Sequence, residues 1–181
     1  EQNGSIQSVP GALNSTCIVE ASINGQEVLV EASYAELRIW KKQAGIWKLS
    51  HNVQDFYAPI KSLEVDGTGT IWASHMYNGL YRIKLDDDLH HIKDLEHIHT
   101  LGGKQKSGKI HVMKIRGRIV FSNTEGYFMY DDIEREIKPY DLLNTSVPFL
   151  TDAHTAVDVH NNEMLWLINS HEYVLLAYQE G

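Results

Sequence analysis

Residues 103–109 read Gly103-Lys104-Gln105-Lys106-Ser107-Gly108-Lys109, the glycine frame and lysine of a phosphate-binding loop. That chemistry needs a Ser or Thr after the lysine to hold magnesium, and a helix N-terminus facing the phosphates. Here Ile110 follows, and the chain runs on in strand-like alternation through Ile115. The segment is expected to be a basic loop. Ten histidines are present. His90 and His91 are adjacent, and His97 and His99 share one face of a strand, a spacing at which two imidazoles can chelate. No cysteine cluster or carboxylate motif completes a ligand set, so neither a metal nor a cofactor is expected. Asp86-Asp87-Asp88 lacks the spaced oxygens and the glycine of a calcium loop and reads as a solvated turn. Asp131, Asp132, Glu134 and Glu136 occupy a similar turn further on. Paired carboxylates hydrolyse glycosides when they flank a substrate. Nothing in this spacing sets two of them at a concave position, and no enzyme is expected.

The elements that carry these residues recur. A turn, an apolar strand, a short polar break and a second apolar strand appear four times, at intervals of roughly 45 residues. The clearest copy runs from Asp66 through Ile71-Trp72-Ala73-Ser74, a break at His75–Asn78, and Gly79-Leu80-Tyr81-Arg82-Ile83. The others centre on Val28-Leu29-Val30, Ile119-Val120-Phe121 and Met164-Leu165-Trp166. A strand of alternating character precedes most of these units. A more polar one follows three of them, at Ile46–Ser50, Leu89–Lys93 and Glu136–Tyr140. Polar outer strands suit a solvated edge, the one place in a sheet where Pro139 fits. Asn24-Gly25 and Asp66-Gly67 are hairpin signals, because both residue types tolerate positive φ. Tyr34–Gln43 holds good helix formers, but its place in the repeat assigns it to a strand.

The expected fold is therefore all-β, a β-propeller of about four four-stranded blades, with repeats near 12–51, 58–99, 107–146 and 152–181. The fourth repeat lacks an outer strand, and Ser5–Val9 is a candidate to supply it. Trp72 and Trp166 are expected to pack between blades, with Trp40 and Trp47 further out. The net charge of −8 argues against nucleic acid as a partner, which needs a basic face. The single cysteine, Cys17, makes an internal disulfide impossible. No apolar run is long enough for a bilayer-crossing helix. The chain begins at Glu1, which reads as a processed or excised piece of something longer.

The short breaks after the second strand of each repeat are the expected ligand-binding positions, since such loops gather at one end of a propeller. They offer Tyr34, His75, Tyr77, Asn78, Asn123, Glu125 and His171. Rings, amides and carboxylates of this kind suit an oligosaccharide or another small polar ligand.

The stretch Ile60-Lys61-Ser62-Leu63-Glu64-Val65-Asp66-Gly67-Thr68-Gly69-Thr70-Ile71-Trp72-Ala73-Ser74, followed by Asn78-Gly79-Leu80-Tyr81-Arg82-Ile83, resembles the two-component-regulator propeller repeat. That pattern runs roughly I-x-x-L-x-x-D-x-x-G-x-I-W-x-x-T, a few residues, then N-G-L-x-x-Y. The match is close here, partial over 108–131 and weak in the first and last repeats. The resemblance implies the periplasmic sensor region of a hybrid two-component or one-component regulator from Bacteroides-type bacteria, responsive to glycans or their breakdown products. It also implies a segment of a larger, seven-bladed ring, with any histidine kinase carried elsewhere in the parent protein. An incomplete ring exposes apolar end faces, so self-association as a homodimer is expected. Two alternatives stand beside the sensor: a scaffold that only dimerises, and a glycoside-active propeller enzyme.

Overall fold

The computed structural model describes residues 14–101, 109–159 and 163–178, and Ser5–Val9 and residues 102–108 of the glycine-lysine loop lie outside them. Four small antiparallel sheets follow one another as the blades of a propeller. Blade 1 holds β1 (Ser15–Ile23), β2 (Gln26–Ser33), β3 (Leu37–Gln43) and β4 (Ile46–Asn52). Blade 2 holds β5 (Ile60–Val65), β6 (Ile71–His75), β7 (Leu80–Leu85) and β8 (Ile92–Ile98). Blade 3 holds β9 (His111–Ile115), β10 (Arg118–Asn123), β11 (Gly126–Asp131) and β12 (Glu136–Pro139), followed by the short helix α1 (Asp141–Ser146). Blade 4 holds β13 (Thr155–Val159), β14 (Met164–Ile168) and β15 (Tyr173–Ala177). Among the described residues no helix is long and apolar enough to cross a membrane.

Each blade is a meander in sequence order, so neighbouring strands pair by simple hairpins. Asn24-Gly25, Ala44-Gly45 and Arg116-Gly117 all have positive φ at both residues, the turn whose twist matches that of the flanking strands. Asp66-Gly67 differs from expectation. The positive φ falls on Gly69, and the Asp66 side chain organises a longer turn by accepting from the backbone N–H groups of Thr68 and Thr70.

Alternation puts one residue set of each blade on the previous blade and the other on the next. Among the described residues three apolar cores result. Val28, Val30, Ile39, Leu63, Ile71 and Ile83 join blades 1 and 2. Trp72, Leu80, Val112, Ile119 and Phe121 join blades 2 and 3. Met113, Val120, Tyr127, Leu165 and Leu167 join blades 3 and 4. The inner strands β1, β5, β9 and β13 pack on one another in that order. Among the described residues, no strand of blade 4 packs on blade 1 with comparable closeness.

A hydroxyl ties each interface at the start of the inner strands. Thr16 Oγ1 donates to the Ile60 carbonyl at 2.7 Å, Ser74 to that of Ile110 and Ser122 to that of Ala153. Each link satisfies a carbonyl at the point where the chain enters the next blade.

Several sequence expectations change. Leu89 is fully buried and His90-His91 lie in the approach to β8, so the outer strand of blade 2 starts only at Ile92. The apolar Leu89 is drawn into the blade 1–2 core rather than alternating along a strand. Trp40 is not peripheral: it is 2% exposed and its indole N–H donates to Glu31 Oε2 at 2.6 Å. Trp72 packs between blades, against Phe121 and Tyr130. Trp166 does not. It lies half-buried on the face of blade 4 directed away from blade 3, beside Tyr173. Tyr34–Gln43 contains β3, as its place in the repeat requires.

Candidate functional site

The last residue of the second strand, or the one just after it, turns the chain in every blade by the same device. Ser33 Oγ accepts from the N–H groups of Ala35 and Glu36. His75 Nδ1 accepts from Tyr77 and Asn78, Asn123 Oδ1 from Glu125, and Asn169 Oδ1 from His171 and Glu172. A short polar side chain at this position replaces the backbone partners that a tight turn leaves open. Two of the expected binding residues, His75 and Asn123, thus build turns. Because its Nδ1 accepts two N–H groups, His75 carries its proton on Nε2. Burial and the neighbouring His97 and His99 push its pKa down.

The turns leave some side chains free to face outward. Tyr34 and Tyr77 are 60% and 67% exposed. Both line one cavity of about 490 Å³, together with Thr16, Lys61, Met76 and Lys109. Strand order explains the meeting. Tyr34 and Tyr77 follow the second strands of blades 1 and 2, while Thr16, Lys61 and Lys109 stand at or just before the inner strands of blades 1, 2 and 3. All these ends lie on the same side of the propeller, because every blade is a meander of the same sense. A parallel bridge between Lys109 and Gly79 holds Lys109 against the Met76–Asn78 turn.

Behind Lys61 a polar chain crosses three blades. Lys61 Nζ lies 3.5 Å from His111 Nδ1, and His111 Nε2 lies 3.2 Å from Asp152 Oδ1. The arrangement fits a neutral imidazole that accepts from the ammonium at Nδ1 and donates to the carboxylate from Nε2. Burial pushes the His111 pKa down to about 4, and the Lys61 charge adds to the effect against the pull of Asp152. Lys61 is itself pushed down, first by burial and then by Lys109. Asp152 has a positive φ of 56°, and its N–H donates to the Asn123 carbonyl. That bond fixes the carboxylate beside β9.

A second group of rings lies on blade 2. His97 stacks on Tyr81 at 4.2 Å and sits 3.8 Å from His99, with His75 and His97 6.1 Å apart. His97 Nε2 is 3.2 Å from the Asn78 carbonyl, and Asn78 Nδ2 is 3.5 Å from His99 Nδ1. These nitrogens serve the turn and one another. Among the described residues, no three His, Cys, Asp or Glu side chains are disposed to hold a metal ion.

The structure therefore joins Tyr34 and Tyr77, and holds Tyr77 and Asn78 in one turn closed by His75, whose ring lies edge-on to that of Tyr77. Asn123 is buried, does not line the cavity, and its carbonyl accepts from the backbone N–H of Asp152. Glu125 and His171 are exposed on the turns of blades 3 and 4 and do not line the cavity. The carboxylates of the blade 3 outer turn are held together by one cation. Lys138 Nζ lies 3.1, 2.7 and 3.5 Å from Asp131, Glu134 and Glu136. A larger hollow between β8 and β12 has Trp72 and Tyr130 in its wall, but Arg82 there is paired with Asp94 and Glu96.

Sequence reasoning missed Lys61, His111 and Asp152, and set Lys109 aside as part of a basic loop. Each reads locally as an ordinary polar strand or loop residue, and only the blade packing brings them together. The one available signal was their common position at the start of an inner strand. No protein-family model matches the chain, and no curated protein matches it.

Proposed function

We propose that this chain is the ligand-binding segment of an extracytoplasmic bacterial sensor, and that it takes a glycan fragment or another small polar ligand in the cavity of Tyr34 and Tyr77. The observation that carries the reading is that cavity: two exposed aromatic rings and two ammonium groups converge where blades 1, 2 and 3 meet. Exposed rings on turns stack on sugar faces, and a cavity of this size falls in the range of small-molecule sites. The periplasmic setting, the regulatory role and the larger seven-bladed ring rest on the resemblance of Ile60–Ile83 to the two-component-regulator propeller repeat. Ligand binding would alter the packing of blade 1 on blade 2 and of blade 2 on blade 3, because Thr16 and Lys61 belong to both the cavity and those blade contacts.

Titration of the protein with a panel of oligosaccharides tests the reading. Tyr34→Ala and Tyr77→Ala are expected to weaken any ligand found by about tenfold each, the loss of one ring contact. Absence of binding across the panel, with unchanged signalling after deletion of these repeats from the parent protein, would sink it.

One observation favours a second reading, a scaffold for association. The outer face of blade 4 presents Val157, Trp166 and Leu175 in register across β13, β14 and β15, with Tyr173 on the same face two residues before Leu175. Val157, Tyr173 and Leu175 are 43%, 73% and 42% exposed. Loss of self-association on substitution of this face, with no ligand found for the cavity, would favour the scaffold.

A further inference from the structure

Resting on that reading of the cavity, we propose that the ligand is an anion carrying a flat, ring-sized apolar face, such as a sugar acid, and that Lys61 and Lys109 bind its acidic group while Tyr34 and Tyr77 stack on its ring. The first support is the balance of charge. The chain has a net charge of −8, yet the residues lining this cavity include two lysines and no carboxylate. Among the described residues, neither Lys61 nor Lys109 is within ion-pairing distance of an Asp or Glu. This contrasts with Lys138 and Arg82, which each gather two or more carboxylates.

The second support is that Lys61 is positioned. An ammonium has three donors. The contact with His111 Nδ1 uses one and aims the group, because His111 is buried and anchored in turn on Asp152. Lys61 lines the same cavity as Lys109, where its remaining donors can serve a ligand. The backbone bridge to Gly79 fixes the approach of Lys109. Burial first, and then the charge of Lys109, lower the pKa of Lys61, so the two neighbouring cations disfavour one another. An anionic group placed between them removes that repulsion and gains charge-assisted hydrogen bonds. His111 and Asp152 act here as positioning residues.

Calorimetric titration of the whole chain at low salt, with galacturonate, galactose and inorganic phosphate as probes, tests the proposal. Galacturonate is expected to bind at least about tenfold more tightly than galactose, the order of one charge-assisted contact. Lys61→Met and Lys109→Met should each remove about tenfold of galacturonate affinity and lower galactose affinity clearly less. Equal binding of the two sugars, unmoved by either lysine substitution, would overturn the anion inference and leave the glycan reading standing. Phosphate binding as tight as that of galacturonate, and insensitive to Tyr34→Ala and Tyr77→Ala, would overturn the ring-stacking half. No binding of any probe at millimolar concentration would overturn both the inference and the cavity's proposed role.

Discussion

His111 is held neutral by its surroundings, and that has a thermodynamic consequence. In the unfolded chain an imidazole takes up its proton near pH 6.5, whereas in the folded protein burial and Lys61 delay this to about 4. Between those values the unfolded state binds more protons, so stability falls as pH falls through that window. The full shift corresponds to roughly 3 kcal/mol. Urea midpoints measured from about pH 7 down to about pH 4.5 should therefore decline, and His111→Gln should flatten the slope. An unchanged slope in the variant would assign the acid sensitivity to other groups. Gly79 is the second residue on which much depends. Its φ is +74°, and a Cβ there would lie 2.3 Å from the Ile98 carbonyl oxygen, which is backbone and cannot swing aside. Gly79→Ala is expected to cost at least about 2 kcal/mol in chemical denaturation, more than a surface Gly→Ala in a relaxed turn. At this scale the place of Tyr34 and Tyr77 on exposed turns was legible, because each follows a predicted second strand. The Lys61–His111–Asp152 chain was hidden, since its members are far apart in sequence and adjacent only across blades.

Individual elements show the same division. Period-2 alternation and the Asn-Gly turn are local physics, so the strands could be read directly except the outer strand of blade 2. The helix α1 could not. Its sequence has no side-chain cap and is one short turn-length segment. Tertiary contacts hold it: Leu143 enters the blade 3–4 core, and Asn144 accepts from Tyr127 N–H at 2.8 Å and donates to the Tyr127 carbonyl at 2.9 Å. Asn144 thereby stands in for a strand neighbour at the start of β11. The inter-blade hydroxyl links invite a direct measurement. Ser74→Ala and Ser122→Ala each leave a buried carbonyl without its donor, at a cost of about 1–3 kcal/mol. They belong to different interfaces and share no partner, so the double variant should lose the sum of the two within about 0.5 kcal/mol. A clearly larger or smaller combined loss, by equilibrium unfolding, would mean that the interfaces communicate.

For the molecule as a whole, the repeat period foretold four blades, and the structure adds that among the described residues they make three close interfaces. The apolar face of blade 4 is the visible result. Trp166 sits two residues before Ile168 as Trp72 sits two before Ser74, yet Trp72 is fully covered by blade 3 and Trp166 is half open. Sedimentation velocity is expected to show concentration-dependent association, and Trp166→Lys should abolish it while preserving the β-sheet circular dichroism. A monomer at high concentration in the unsubstituted protein would show that the face is not adhesive.

The serial arrangement of the interfaces also governs how the protein comes apart. When units touch only their nearest neighbours, stability is a sum of local and neighbour contributions, and disruption travels as a front from an end. Blade 4 has three described strands and one close interface, so its amides in β13–β15 should exchange with solvent first and those of β6 and β10 last. A ligand seated where blades 1, 2 and 3 meet would slow exchange there and leave blade 4 to fray. The propeller would then behave as a chain of springs clamped at one end, with its free end reporting little of what is bound at the other.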